Sequence, residues 1–220
     1  MTADRPKVHI VRTGTANLAS VVAALSRQGA DPVLTADPGT IDAANAIVLP
    51  GVGSFAAAMD ALRRADVAEV LTARINAGRP TLAICLGLQV LFEASEESPG
   101  VKGLGVVPGE ITRFTGAVRV PQLGWNAVAC EPSCRVLSDG DAYYANSYRA
   151  GHAPAGFAAA WSDHGGPFIA AIERGPVVAC QFHPELSGWW GAALIRRWLA
   201  AAGLERGLSS LGTTKAGARC

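Results

Sequence analysis

The chain has 220 residues, half of them hydrophobic, with 19 Lys and Arg against 18 Asp and Glu for a net charge of +1. That length and apolar content support one domain with a sizeable core and exclude wholesale disorder, and the balanced charge gives no general attraction to nucleic acid or an anionic membrane. No apolar run approaches the roughly 20 residues of a membrane helix, and the opening MTADRPK has no apolar signal segment, so a cytoplasmic location is expected.

In chain order, residues 8–11 form a short apolar run, read as a strand. Leu18, Val21, Val22 and Leu25 then recur on one face of a helix expected over 17–29, with Gly29 as its stop. Residues 32–35 and 46–49 are the next strands, the latter ending at Pro50-Gly51. Ser54 is placed to cap a helix running through Met59 and Leu62, and a further helix is expected over 67–76, ending at Gly78. Residues 80–84 read as a buried strand that ends at Cys85, and residues 86–94 read as helix.

From residue 100 to about 160 the composition turns to Gly and Pro, with short β-prone pieces at 111–114 and 143–144. This is read as an antiparallel extension with loops. A strand at 177–182 and a helix at 186–202 follow, the helix turning Trp189, Trp190, Leu194, Ile195, Trp198 and Leu199 partly toward the core. Strands alternating with helices predict an α/β fold: a mostly parallel sheet with helices on both faces and a small antiparallel extension. The folded domain is expected over 1–203, with a disordered tail at 204–220.

Five cysteines, Cys85, Cys130, Cys134, Cys180 and Cys220, are odd in number and scattered, a poor disulfide framework. Cys130 and Cys134 have no second Cys or His pair beside them, so they read as separate thiols, and neither a metal nor a cofactor is expected.

The strongest chemical signal is AICLGLQ at 83–89. A strand runs straight into a helix with Cys85 at the turn, and the small Gly87 lets the helix start close to the strand, as in a nucleophile elbow. A helix N-terminus and a neighbouring imidazolium favour the reactive thiolate, and the amide of Leu86 is placed to face a developing oxyanion. A free cysteine is commonly just a small buried hydrophobe; the strand, the turn, Gly87 and a downstream base together outweigh that. The base is His183 in QFHPE, at the end of another strand. Ligands of open parallel sheets bind at the carboxyl ends of strands, so Cys85 and His183 can meet across 98 residues. Glu185 is spaced to accept from the imidazole and fix its tautomer. His9 reads as a core or edge residue; His152 and His164 lie in Gly-rich stretches and read as solvated. PGVG at 50–53 follows a strand and permits close backbone approach to a ligand. Its amides suit an oxyanion hole, although an ordinary tight turn reads the same way, and neither phosphate-loop pattern is present.

Together these pieces resemble the class I, or triad, glutamine amidotransferases, and within them the glutaminase subunits of imidazole glycerol phosphate synthase, an enzyme of histidine biosynthesis. The matching segments are GTANL at 14–18, PGVGSF at 50–55, AICLGLQ at 83–89, PQLGWN at 121–126, YYANSY at 143–148 and QFHPELS at 181–187. The resemblance implies that Cys85 attacks the side-chain amide of L-glutamine, that His183 and Glu185 complete the catalytic trio, and that water hydrolyses the resulting thioester. It places Gly51, Val52, Gly53 and Leu86 around the oxyanion and Gln89, Ser147 and Tyr148 against the substrate. It implies a (β/α)8-barrel cyclase subunit as partner, which receives the ammonia, with Asn17, Gln122, Trp125 and Asn126 as candidate contacts; for Trp125, core packing is equally open. The chain departs from the usual pattern at Arg12-Thr13, Ala83, Asn146 and Leu186, and several departures fall where the partner would dock. A class I subunit serving another synthase, a regulatory subunit with a dead site and a cysteine hydrolase on the same sheet are the other readings; an intact Cys85, His183 and Glu185 argues against the dead site.

Overall fold

The computed structural model describes residues 5–12 and 18–205. Asn17, expected both to open a helix and to contact a partner, lies outside the described residues, as do Thr13, Cys220 and the expected tail from residue 206.

In chain order the elements are β1 (Lys7–Val11), α1 (Leu18–Arg27), β2 (Asp31–Thr35), α2 (Pro38–Ala43), β3 (Ile47–Gly51), α3 (Phe55–Arg64), α4 (Ala68–Asn76), β4 (Thr81–Cys85), α5 (Leu86–Gln89), β5 (Phe92–Ser95), β6 (Val107–Arg113), β7 (Gln122–Cys130), β8 (Gly140–Asn146), β9 (Tyr148–Ala150), β10 (Ala158–Asp163), β11 (Pro167–Arg174), β12 (Val177–Cys180) and α6 (Gly188–Ala201). Among the described residues the main sheet has nine strands in the order β2-β1-β3-β4-β12-β11-β10-β7-β8. From β2 to β12 neighbouring strands are parallel; beyond β12 they are antiparallel.

The central strands β3, β4 and β12 are buried along their whole length, as a parallel strand covered on both faces requires. Their side chains alternate between two cores. Val48, Leu82, Ile84 and Val178 join Leu25 of α1 and Leu194, Trp198 and Leu199 of α6. Ile47, Leu49, Ala83 and Ala179 join Met59 and Leu62 of α3 and Leu71 and Ile75 of α4. Local signals start and stop the helices: Ser54 accepts from the Ala57 N–H at the head of α3, and Gly29 and Gly78 take positive φ after α1 and α4. None of the described helices is long and apolar enough to cross a membrane.

Two expectations change, the helix after Cys85 and the orientation of Trp189. The helix expected over 86–94 stops at Gln89, and Phe92–Ser95 is a strand paired with β6. The carbonyls of Leu91, Phe92 and Glu93 accept from Val107, Gly105 and Gly103, so the backbone bonds a helix would need are taken by a distant segment. The expected antiparallel extension is present: β7, β8, β10 and β11 continue the main sheet, and among the described residues β5, β6 and β9 form a separate three-stranded sheet. Trp189 points away from the core and is 83% exposed, while Trp190 beside it is buried. Leu204 packs against the core.

Glycine decides how closely β3 approaches the elbow after β4. A Cβ on Gly51 would lie 2.8 Å from Leu86 Cβ, and one on Gly87 would overlap the Leu49 carbonyl oxygen. Gly87→Ala is therefore expected to lower stability by about 2 kcal/mol or more in chemical denaturation. Gly78→Ala, with positive φ but nothing within 4 Å, should cost only about 1 kcal/mol.

Candidate active site

The turn from β4 into α5 gives Cys85 a backbone conformation that L-residues rarely adopt, φ 56° and ψ −110°. A non-glycine residue is held there only when its surroundings over-determine it. The surroundings are β3 on one side, paired through Gly51, and β12 on the other, in register through Cys180 and Ile84. Cys85 is the last residue of β4, level with Gly51 of β3, and its sulfur faces the chain that leaves β12.

That chain carries the expected base. Residues two apart on an extended segment point the same way: Gln181 and His183 turn toward Cys85, whereas Phe182 packs on Tyr144 and Trp190. The His183 Nδ1–H donates to Glu185 Oε1 at 2.8 Å, and both side chains are almost wholly buried. With Nδ1 engaged, the other ring nitrogen is the one left to serve the sulfur, which lines the same cavity. Burial pulls the His183 pKa down, but hydrogen bonds to Cys85 and Glu185 and the negative charge on both push it up further, to about 10. The backbone of His183 is fixed as well: its N–H donates to the Tyr143 carbonyl at 2.9 Å, and its carbonyl accepts from Ser187 Oγ.

A cavity of about 280 Å³ opens over the sulfur, lined by Val52, Gly53, Leu86, Gln89, Glu97, Ser147, Tyr148 and His183, with Ala145 and Asn146. This is slightly below the roughly 300–1,000 Å³ of pockets for drug-sized ligands, in keeping with one small molecule. The structure thus brings together Cys85, His183, Glu185, Val52, Gly53, Leu86, Gln89, Ser147 and Tyr148, with Gly51 beneath them at the end of β3. Gln89 donates from Nε2 to the Tyr148 carbonyl at 3.2 Å and to Gln181 Oε1 at 2.9 Å.

Sequence reasoning passed over Glu97 and Gln181. Glu97 lies in an unremarkable polar run, yet its carboxylate accepts from the Phe55 N–H at 2.7 Å, beside Ser98 Oγ, which accepts from Ala56. It holds the start of α3, and hence the loop after Gly51, against the cavity. Gln181 stands in the QFHPE motif, but nothing local distinguishes it from a buried strand residue.

The expected partner contacts fall elsewhere. Trp125 is 60% exposed, so it is no core residue; its ring meets Tyr143 edge to face. Asn126 donates to the Asp163 carbonyl, and Gln122 is buried on the same strand. Among the other thiols, burial pushes Cys130 up to about 12 and raises Cys134 and Cys180 as well, so they are poor nucleophiles. Of the remaining histidines, His152 is exposed. His164, expected to be solvated, is half-buried: its Nε2 meets the Arg119 carbonyl and its ring packs on Phe114.

Residues 14–200 match the family described as glutamine amidotransferase class-I. The chain is 42% identical to the imidazole glycerol phosphate synthase subunit HisH of Leifsonia xyli, over 90% of this chain and 99% of that one. It is 40% identical to the subunit of the same name from Methanothermobacter thermautotrophicus, over 87% and 97%. It is also 42% identical to the chloroplastic imidazole glycerol phosphate synthase hisHF of Arabidopsis thaliana, over 87% of this chain but 34% of that protein. A crystal structure of a glutamine amidotransferase superposes with a TM-score of 0.72 at 19% identity, covering 89% of this chain and 98% of that one.

The raised His183 has a signature in stability. A histidine whose folded pKa lies above its unfolded value of 6.5 contributes stability that is complete below 6.5 and lost as pH rises through about 10. The stability difference between wild type and His183→Gln should therefore be largest near pH 6 and shrink steadily toward pH 10, measured by denaturant titration across that window. A difference that grows with pH would contradict the charged pair.

Proposed function

The chain belongs to the class I glutamine amidotransferases and, within them, to the HisH subunits of imidazole glycerol phosphate synthase, and from that premise we propose how its residues perform the reaction. It hydrolyses L-glutamine to glutamate and ammonia in histidine biosynthesis. The Cys85 sulfur attacks the side-chain carbonyl carbon of glutamine. The carbonyl oxygen takes up the electron pair and is stabilised by amides of Leu86 and of the loop formed by Gly51, Val52 and Gly53. The intermediate collapses as His183 gives its proton to the departing nitrogen, so the C–N bond breaks, ammonia leaves and a γ-glutamyl thioester remains. His183, now neutral, takes a proton from water; the hydroxide attacks the thioester, the C–S bond breaks and glutamate is released. Glu185 keeps the imidazole oriented and stabilises its charge.

The observation that carries this reading is the Cys85–His183–Glu185 line, with the sulfur opening into a cavity of amino-acid size. In that cavity Gln89, Ser147 and Tyr148 hold the substrate, and Glu97 supplies an anionic group for its α-ammonium. The ammonia passes to a (β/α)8-barrel cyclase partner. The hisHF relative, of which this chain matches about a third, supports an arrangement in which this unit works beside a larger one. Asn17, Gln122, Trp125 and Asn126 are the proposed contacts, with Trp125 the strongest because it leaves a large aromatic surface exposed. Residues 1–203 are the catalytic domain, and a cytoplasmic location suits the role.

In the reconstituted complex, Cys85→Ala should abolish glutamine-dependent synthesis while leaving ammonia-dependent synthesis near wild type; loss of both would refute this division of labour. Glu97→Ala should raise the KM for glutamine at least roughly tenfold, the scale of a lost charge-assisted contact, in a coupled glutamate assay. Trp125→Ala should weaken association with the cyclase roughly tenfold or more, read by titration calorimetry.

A further inference from the structure

The sheet register makes Gln181 a neighbour of the nucleophile. Cys180 is level with Ile84 across the parallel pair of β12 and β4, so the next residue on each strand brings Gln181 level with Cys85. Gln181 is fully buried, and its Nε2 lies 3.7 Å from the Cys85 sulfur, within hydrogen-bonding range for sulfur. An amide can point either way, but a chain of partners removes the choice. The Tyr148 carbonyl can only accept, and it accepts from Asn146 Nδ2 at 3.0 Å and from Gln89 Nε2 at 3.2 Å. Gln89 therefore turns its NH2 group inward, and its second N–H meets Gln181 Oε1 at 2.9 Å. With its oxygen so engaged, Gln181 has only its NH2 group to offer the sulfur.

We propose that Gln181 is a positioning residue for the nucleophile: its amide N–H donates to the Cys85 thiolate, and its orientation is set through Gln89 by the Tyr148 carbonyl. The sulfur then sits between two donors, His183 on one side and Gln181 on the other. Most of the sulfur is turned away from solvent, and a fixed amide dipole beside it stabilises developing negative charge without having to reorganise during the reaction. Gln89 and Tyr148 both line the cavity that the substrate enters, so the same chain ties the substrate wall to the aim of the sulfur. The inference rests on Cys85 being the nucleophile of the proposed reaction.

Two readouts test it. The full chain alone is titrated with iodoacetamide across pH, with labelling of Cys85 followed by peptide mass spectrometry. The complex with its cyclase partner supplies kcat and KM for glutamine. Gln181→Met keeps the bulk but removes the donor; Gln181→Leu replaces it if the longer side chain does not fold. The pH midpoint of Cys85 labelling should rise by about one unit and kcat should fall roughly tenfold. In Gln181→Glu, which still accepts from Gln89, KM should stay within about threefold of wild type while kcat falls. A folded Met or Leu variant that keeps the wild-type labelling midpoint and kcat overturns the proposal and leaves Gln181 as a packing partner of Gln89. If wild-type Cys85 labels and its midpoint shifts in the variants, yet the complex never hydrolyses glutamine, the glutaminase reading fails and the sulfur–amide contact stands.

Discussion

The backbone of one residue sets the terms for the whole site. Cys85 holds φ 56° and ψ −110°, a conformation that costs on the order of 1–3 kcal/mol for a side chain with a Cβ. Nothing at the turn itself offsets that cost. It is offset by the strands on either side, which are buried on both faces and fixed in register. Glycine at 51 and 87 lets β3 and the elbow after β4 close to a distance that no side chain would permit. The strain throws the sulfur clear of the sheet, where it meets the imidazole.

Burial then works in two directions at once. It disfavours a charged imidazole, and left alone it would hold His183 neutral. Glu185 on one ring nitrogen and Cys85 on the other reverse the outcome. Burial also acts on the thiols: Cys130, Cys134 and Cys180 are all pushed up. Among the described cysteines, Cys85 is set apart by the imidazole beside it, not by its exposure.

The parts of this arrangement legible in sequence were those fixed by local pattern. The apolar runs that became β1, β3, β4 and β12, the capping Ser54, and the stops at Gly29 and Gly78 are each set by a few adjacent residues. The Cys85 elbow and the His183–Glu185 spacing are local too, which is why the trio was recognisable. What escaped was decided by distant segments. Val90 to Glu93 carry a passable helix pattern, but residues 103–107 claim their carbonyls. Glu97 looks like any surface acid until the head of α3 is brought against it. Trp189 and Trp190 are indistinguishable in composition, and only the packing of α6 on the sheet exposes one and buries the other. The strand β11, with its apolar FIAAI core, carried a usable signal that the Gly-rich surroundings obscured.

The seam between the two halves of the sheet also imposes an order on how the site comes into being. The strand β12 lies between β4 and β11, with β11 joined to it as an antiparallel neighbour. A ribosome delivers the elbow cysteine roughly a hundred residues ahead of the histidine, and amino-terminal segments have the first opportunity to fold. Until the late hairpin slots in beside β4, Cys85 stands without His183, so a half-made chain carries the proposed nucleophile but not its proposed base. On the proposed reaction, the site is completed only once the last third of the polypeptide has taken its place against the rest.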